Sequence, residues 1–171
     1  MAKRTLLLLR HAKSSWDEPD LEDRERPLAP RGRRAAAALG AHLVRRGPKI
    51  DRVLCSTSKR TRETLALLDL SPKTPVAFEE KLYLASAQAL LSRIRRLPAR
   101  ARCVMLIAHD PGVDHLARLL AGDGRPKSMR RLAQGFSTGA LAELSVPEAS
   151  WRELAPASAF LERFVRPRDP S

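Results

Sequence analysis

Two histidines in this chain each follow directly on a short apolar run. His11 comes after Leu6-Leu9 with Arg10 between, and His109 comes after the run Cys103-Ala108. A third apolar run ends near Cys55-Ser56 and leads into Ser-Thr-Ser-Lys-Arg, which sets Arg60 about one helical turn into the next element. In an open α/β sheet, ligands collect beyond the carboxyl ends of the strands. If the three runs are neighbouring strands, two imidazoles and two guanidiniums converge on one small anion. That set suits a phosphoryl group. Arginine presents a rigid fork of donors to phosphate oxygens. Neutral imidazole can attack phosphorus, and a second, protonated imidazole can neutralise charge on the equatorial oxygens. Helix N-termini following Ser56 and His109 can add backbone donors. Such donors can do what a metal does elsewhere, so neither a metal nor a cofactor is expected. Taken singly, each residue fits an ordinary surface position equally well.

The elements that must position these groups follow from periodicity. Thr5-Leu9 reads as a short buried strand, and 14–26 as a polar loop. Gly32 to Arg46 reads as an amphipathic helix stopped by Gly47-Pro48. Asp51-Ser56 is a second strand, and Ser58 can cap a helix from Lys59 to Leu68. Val76-Phe78 reads as a small edge strand. Leu90, Leu91, Ile94 and Leu97 form the apolar stripe of a helix from Ser86 to Leu97. Cys103-Ala108 is continuously apolar, as a buried parallel strand requires. A helix from Val113 to Leu120 follows, then a glycine-rich basic loop from Ala121 to Arg131. Ala140-Val146 and Trp151-Leu154 read as a hairpin around Pro147-Ser150, with Phe160, Leu161 and Phe164 covering an edge. Strand and helix alternating in this way predict a three-layer α/β/α sandwich with a mostly parallel central sheet. Without an internal repeat or a linker, residues 1–171 are expected to form one domain.

Composition sets outer bounds. At 171 residues, 43% hydrophobic and 30% charged, the chain can bury a core without disulfides. No apolar stretch approaches the roughly 20 residues that span a bilayer. Arg10-His11 closes the leucine run too soon for a signal-peptide core, so a cytoplasmic protein with no membrane association is expected. Cys55 and Cys103 form no ligand-spaced pair and read as reduced thiols. The net charge of +13, with 25 arginines among 32 basic residues, favours anionic partners through its field. It does not single out nucleic acid, for which no recognition motif appears.

Beyond these arguments the chain resembles a known family. LRHAKSSW resembles the first motif of the histidine phosphatase superfamily, the phosphoglycerate mutase-like proteins, whose first strand ends in Arg-His. Residues 56–64, STSKRTRET, resemble the second motif, and AHDPGV at 108–113 the third. RHAKSSW, the Asp23…Arg26-Pro27-Leu28 segment, LYLAS at 82–86 and FVRP at 164–167 are similar to the short phosphohistidine phosphatase (SixA-like) branch. The likeness runs through nearly the whole chain in one order. It implies a phosphoglycerate mutase-like fold and a hydrolase in which His11 becomes transiently phosphorylated. The resemblance further implies that Arg10 and Arg60 bind the phosphoryl oxygens and that His109 completes the pocket. The motif's register selects Arg60 over Arg62, which lies on another helix face. Ser14 and Lys13 are further candidates for binding the phosphoryl group, Trp16 for shaping the mouth, and Asp110 for capping the helix that follows it.

The proton donor is less determined. Relatives supply an acidic residue between the second and third motifs, and Glu80 is the nearest candidate here, with Glu79 behind it and Asp17, Glu18 and Asp20 as a second set. An alkoxide leaving group needs such an acid. A leaving imidazole, whose solution pKa is about 6.5, needs much less help. The expected partner is therefore a phosphorylated protein carrying phosphohistidine, or else a small phosphoester, with inorganic phosphate as product. The short connections leave the pocket open enough for a protein-borne side chain. The competing class is a basic nucleic-acid-binding module built on Arg125 to Arg131, and the three motifs make it the weaker expectation.

Overall fold

The four leucines at 6–9 are wholly buried and divide by parity. Leu6 and Leu8 pack with Leu90, Ile94 and Leu116, whereas Leu7 and Leu9 pack with Leu39, Leu43 and Leu68. Side chains alternate across a strand, so an unbroken apolar run needs cover on both faces. That requirement puts this strand in the middle layer of three. The computed structural model describes residues 3–147 and 150–168. Its strands are β1 (Arg4–Arg10), β2 (Arg52–Ser56), β3 (Val76–Glu79), β4 (Cys103–Ala108), β5 (Ala121–Gly124), β6 (Leu141–Val146) and β7 (Ala159–Val165). Its helices are α1 (Pro30–Arg46), α2 (Lys59–Leu68), α3 (Ala87–Arg95), α4 (Gly112–Leu120) and α5 (Pro126–Ala133). Leucines of α1 and α2 cover one face of the sheet, and residues of α3, α4 and α5 the other.

The sheet runs in the order β3-β2-β4-β1-β6-β7-β5. β1, β2, β3 and β4 are mutually parallel, and β6 runs antiparallel to both β1 and β7. The expected mostly parallel sandwich is the fold found. Ser58 caps α2 by accepting from the Thr61 amide, and Ser86 does the same for α3 through the Ala89 amide. Pro30 and Pro126 open α1 and α5, where a missing N–H costs nothing.

Two expectations fail on the C-terminal side. Residues 121–131 are not a loop. They form β5, which pairs in parallel with β7, followed by α5. The glycines that suggest a loop are needed for close approach, since a Cβ on Gly122 would lie 2.2 Å from the Ala157 carbonyl oxygen. The hairpin partner of β6 is β7, not Trp151-Leu154. Trp151 instead heads a short 3-10 turn, fully buried, with its indole N–H donating to the Ala101 carbonyl at 2.7 Å. Phe160, Leu161 and Phe164 belong to β7 itself. Of the expected turn Pro147-Ser150, residues 148 and 149 lie outside the described residues. Among the described residues, no helix is long and apolar enough to cross a membrane.

Candidate active site

Register brings the chemistry together. Arg10 pairs with Ala108 across β1 and β4, and Cys55 pairs with Ile107 across β4 and β2. The three strands therefore end level, and the residues that follow them share one rim. The His11 amide donates to the Ala108 carbonyl at 3.3 Å, and the two imidazole centroids lie 5.4 Å apart. Arg60, in the first turn of α2, reaches both rings. Its Nε donates to His11 Nε2 at 3.3 Å, and an Nη stands 3.3 Å from His109 Nδ1. Arg10, His11, Lys13, Ser14, Arg60 and His109 all line one open cleft of about 250 Å³.

The hydrogen bonds assign the tautomers. His11 Nδ1 lies 2.8 Å from the Ala12 carbonyl oxygen, which can only accept, so Nδ1 carries the proton. The lone pair is then on Nε2, where Arg60 donates. In His109 the Arg60 guanidinium likewise makes Nδ1 the acceptor, and Nε2–H donates to Ser56 Oγ at 2.8 Å. Burial lowers the His11 pKa to about 4, with Arg60 and Arg10 adding to the effect and the Ala12 carbonyl opposing it. Burial, with His11 and Arg60 beside it, lowers that of His109 to about 3. Both rings are neutral at pH 7. A protonated His109 therefore requires a bound dianion to stabilise it.

Backbone contacts hold His11 in place. The Gly139 amide donates to the carbonyls of Arg10 and His11, and the Ala12 amide donates to Thr64 Oγ1, which itself donates to the Arg60 carbonyl. Arg10 donates to the Phe136 carbonyl at 2.7 Å, while its buried Nε has no partner among the described residues. Asp110 does not cap α4. One carboxylate oxygen is 4.0 Å from Arg10, and the other is buried without a partner among the described residues. Arg62 lies over the Phe78 ring, 4.1 Å from its centroid, away from the cleft.

The cleft also contains Asp23, a carboxylate outside the acids expected from the sequence. Asp23 sits on a short 3-10 turn of the 14–26 loop and accepts from Arg60 at 2.9 Å and from the Tyr83 hydroxyl. Burial works against its ionisation, but the bonds from Tyr83 and Arg60 outweigh that and hold its pKa below the ordinary value. Tyr83 stands edge-on to His109, with centroids 5.3 Å apart. Asp23 belongs to the Asp…Arg-Pro-Leu stretch, the one sequence signal for it. Nothing local shows that the loop folds back over Arg60. Arg26 closes that loop by donating to the carbonyls of Glu18, Pro19 and Leu21 and stacking on Trp16.

Glu80 is not among the residues lining the cleft. Its carboxylate pairs with Arg24 and accepts from Thr57 Oγ1 at 2.6 Å, and its side chain is 62% exposed. Glu79 is bound in a two-pronged pair with Arg93. Among the described residues, no three His, Cys, Asp or Glu side chains are grouped to hold a metal ion. Burial pushes the Cys55 and Cys103 thiols up to about 12, as expected of inert core residues.

A neutral imidazole whose Nε2 lone pair lies in the cleft beside the Arg60 guanidinium, with Arg10 also lining the cleft, is an arrangement that can attack and hold a tetrahedral phosphoryl group. A sequence profile described as the histidine phosphatase superfamily (branch 1) matches residues 6–83. An uncharacterized protein of Mycobacterium tuberculosis is 36% identical over 163 residues, covering 94% of this chain and all of that one. A Mycobacterium leprae counterpart is 35% identical over 164 residues, with the same coverage. The solved structure of a protein provisionally identified as phosphohistidine phosphatase SixA from Nakamurella multipartitia superposes with a TM-score of 0.84. It is 31% identical, over 99% of both chains. The motifs read from the sequence and the fold that carries them thus place this chain in the histidine phosphatase superfamily, branch 1, with SixA-like members, and make it a phosphatase.

Proposed function

We propose that the protein removes phosphoryl groups from phosphohistidine in a protein substrate, through a phosphohistidine intermediate on His11. The observation that carries the reading is the state of His11: Nδ1–H held by the Ala12 carbonyl, Nε2 unprotonated beside Arg60. In the first step the Nε2 lone pair forms a bond to phosphorus while the P–N bond to the substrate breaks. The departing ring nitrogen takes the electron pair. Arg10 and Arg60 neutralise the equatorial oxygens, and His109, protonated as the dianion binds, adds a third donor. In the second step water attacks phospho-His11, yielding inorganic phosphate and the neutral imidazole again.

The state of Asp23 and Glu80 favours phosphohistidine. Asp23 is ionised and bound by two donors, and Glu80 is occupied with Arg24 and Thr57 outside the cleft. Neither is free to protonate an alkoxide. A phosphohistidine substrate avoids the need, because its other ring nitrogen can take a proton from solvent near neutral pH. The ring then leaves as neutral imidazole. The relation to a protein provisionally identified as a phosphohistidine phosphatase supports the same choice. The test is a panel of phosphohistidine proteins and small alkyl phosphoesters, assayed with wild type and His11→Ala in parallel. Phosphohistidine should be hydrolysed far faster than alkyl esters, and only by wild type. Efficient cleavage of sugar or nucleotide phosphates with phosphohistidine untouched contradicts the reading.

A further inference from the structure

Beside the catalytic cleft lies a second cavity of about 300 Å³, and the two share Lys13 and Thr138 in their walls. Among the described residues, the second cavity is lined by Arg31, Arg168 and Lys13 with the hydroxyl residues Ser137 and Thr138, and by no carboxylate. None of the three cations has an ion pair or hydrogen bond from its side chain among the described residues. Elsewhere on the surface arginines do find acidic partners: Arg33 with Glu63, Arg93 with Glu79, Arg118 with Asp114.

Three segments distant in sequence build this wall, and backbone packing fixes each of them. The Ala29 amide donates to the Lys13 carbonyl at 2.8 Å. Gly32 lies so close that a Cβ on it would stand 2.1 Å from that same oxygen, which holds the first turn of α1, with Arg31, beside Lys13. Gly139 adopts a positive φ of 77° and is packed against Pro167, which brings Arg168 next to the 137–139 turn. That turn in turn grips the Arg10 and His11 carbonyls. The charges are thus mounted on the frame that holds the nucleophile.

We infer that this cavity is a subsite for a second anionic group on the substrate molecule: an acidic side chain flanking the phosphohistidine. The inference rests on the phosphatase reading above and deepens it to a substrate class. Cations left without an acidic partner among the described residues, around a cavity that opens beside the reacting centre, attract an anion tethered to the phosphoryl group. Effective concentration then favours substrates that carry both.

The test uses the full chain and an Arg31→Ala/Arg168→Ala double variant, both exposed positions outside the catalytic cleft. Two phosphohistidine peptides, one with flanking glutamates and one with glutamines, are compared by kcat and KM. Wild type should prefer the acidic peptide, and the double variant should lose on the order of fivefold in kcat/KM for it through KM alone. The neutral peptide should change less than twofold. Equal loss on both peptides, or none on either, overturns the inference. A second arm uses a small bisphosphate and its monophosphate. If neither peptide is turned over, the phosphohistidine reading fails. A bisphosphate preference abolished by the double variant would still support the anion subsite, and no such preference would overturn it too.

Discussion

At the scale of single residues, each proposed role has a separable signature. Removing the His11 ring in His11→Ala should lower turnover by at least about 10⁴-fold, since nothing else in the cleft replaces the nucleophile. A phosphate-release assay together with acid-labile label on the protein measures this. Arg60→Ala should cost roughly 10²- to 10³-fold in kcat/KM, as removal of one transition-state donor does. Arg62→Ala, two positions on but facing Phe78, should cost less than about threefold by the same assay. Both imidazoles have pKa values below the solution value, so they are neutral above it and gain protons only as pH falls. Their ring ¹⁵N shifts should stay those of neutral histidine from pH 8 to 5 and titrate near 4 for His11 and near 3 for His109. A midpoint near 6.5 for His11 would contradict the buried, Arg60-facing geometry. The convergence of His11, Arg10, Arg60 and His109 on one cleft was legible from strand-end positions and motif register. Asp23 was not, because its role depends on a loop folding back onto Arg60 and Tyr83 across contacts of 37 and 60 residues.

At the scale of elements, the site depends on helices that approach the backbone closely. A Cβ on Gly32 would meet the Lys13 carbonyl oxygen at 2.1 Å, and one on Gly40 would meet that of Leu68 at 2.2 Å. Each contact is backbone against backbone, so neither can be relieved by a side-chain rotation. Gly32→Ala and Gly40→Ala should each destabilise the fold by about 2 kcal/mol or more, measured by urea denaturation. Gly40 joins α1 to α2 away from the cleft, whereas Gly32 presses on the segment after His11. Only Gly32→Ala should also lower kcat in the folded fraction. The central strands and the helices beside them could be read from period and capping, because burial on two faces and a Ser cap leave marks in the local sequence. The edge could not. β5 exists through its pairing with β7, some 38 residues on, and its Ala-Gly-Asp-Gly sequence carries no strand signal of its own. The β6–β7 pairing is hidden for the same reason: Trp151 is buried in a 3-10 turn with its indole bonded to the Ala101 carbonyl, and does not lie in a strand.

At the scale of the whole molecule, charge and protonation govern stability and encounter. An unfolded histidine titrates near about 6.5, while the folded sites titrate at about 4 and about 3. Below pH 6.5 the unfolded chain therefore binds protons that the folded one refuses. The stability these sites contribute is fully present above 6.5 and is lost as pH falls toward their folded values. Tm should fall between pH 6.5 and 4.5, and the slope should be shallower in a His11→Ala/His109→Ala double variant. The +13 net charge acts at longer range. It should raise the association rate with an acidic phosphoprotein and lose that advantage as salt rises from 50 to roughly 500 mM.

The central claim is that the phosphoryl group passes through His11. Its most direct test is rapid-quench mixing of the protein with a ³²P-phosphohistidine protein, followed by locating the label on the enzyme. We predict transient acid-labile label on Nε2 of His11 that decays at the rate of phosphate release and is absent from His11→Ala. Steady phosphate release with no label on His11, or release undiminished in His11→Ala, would contradict it.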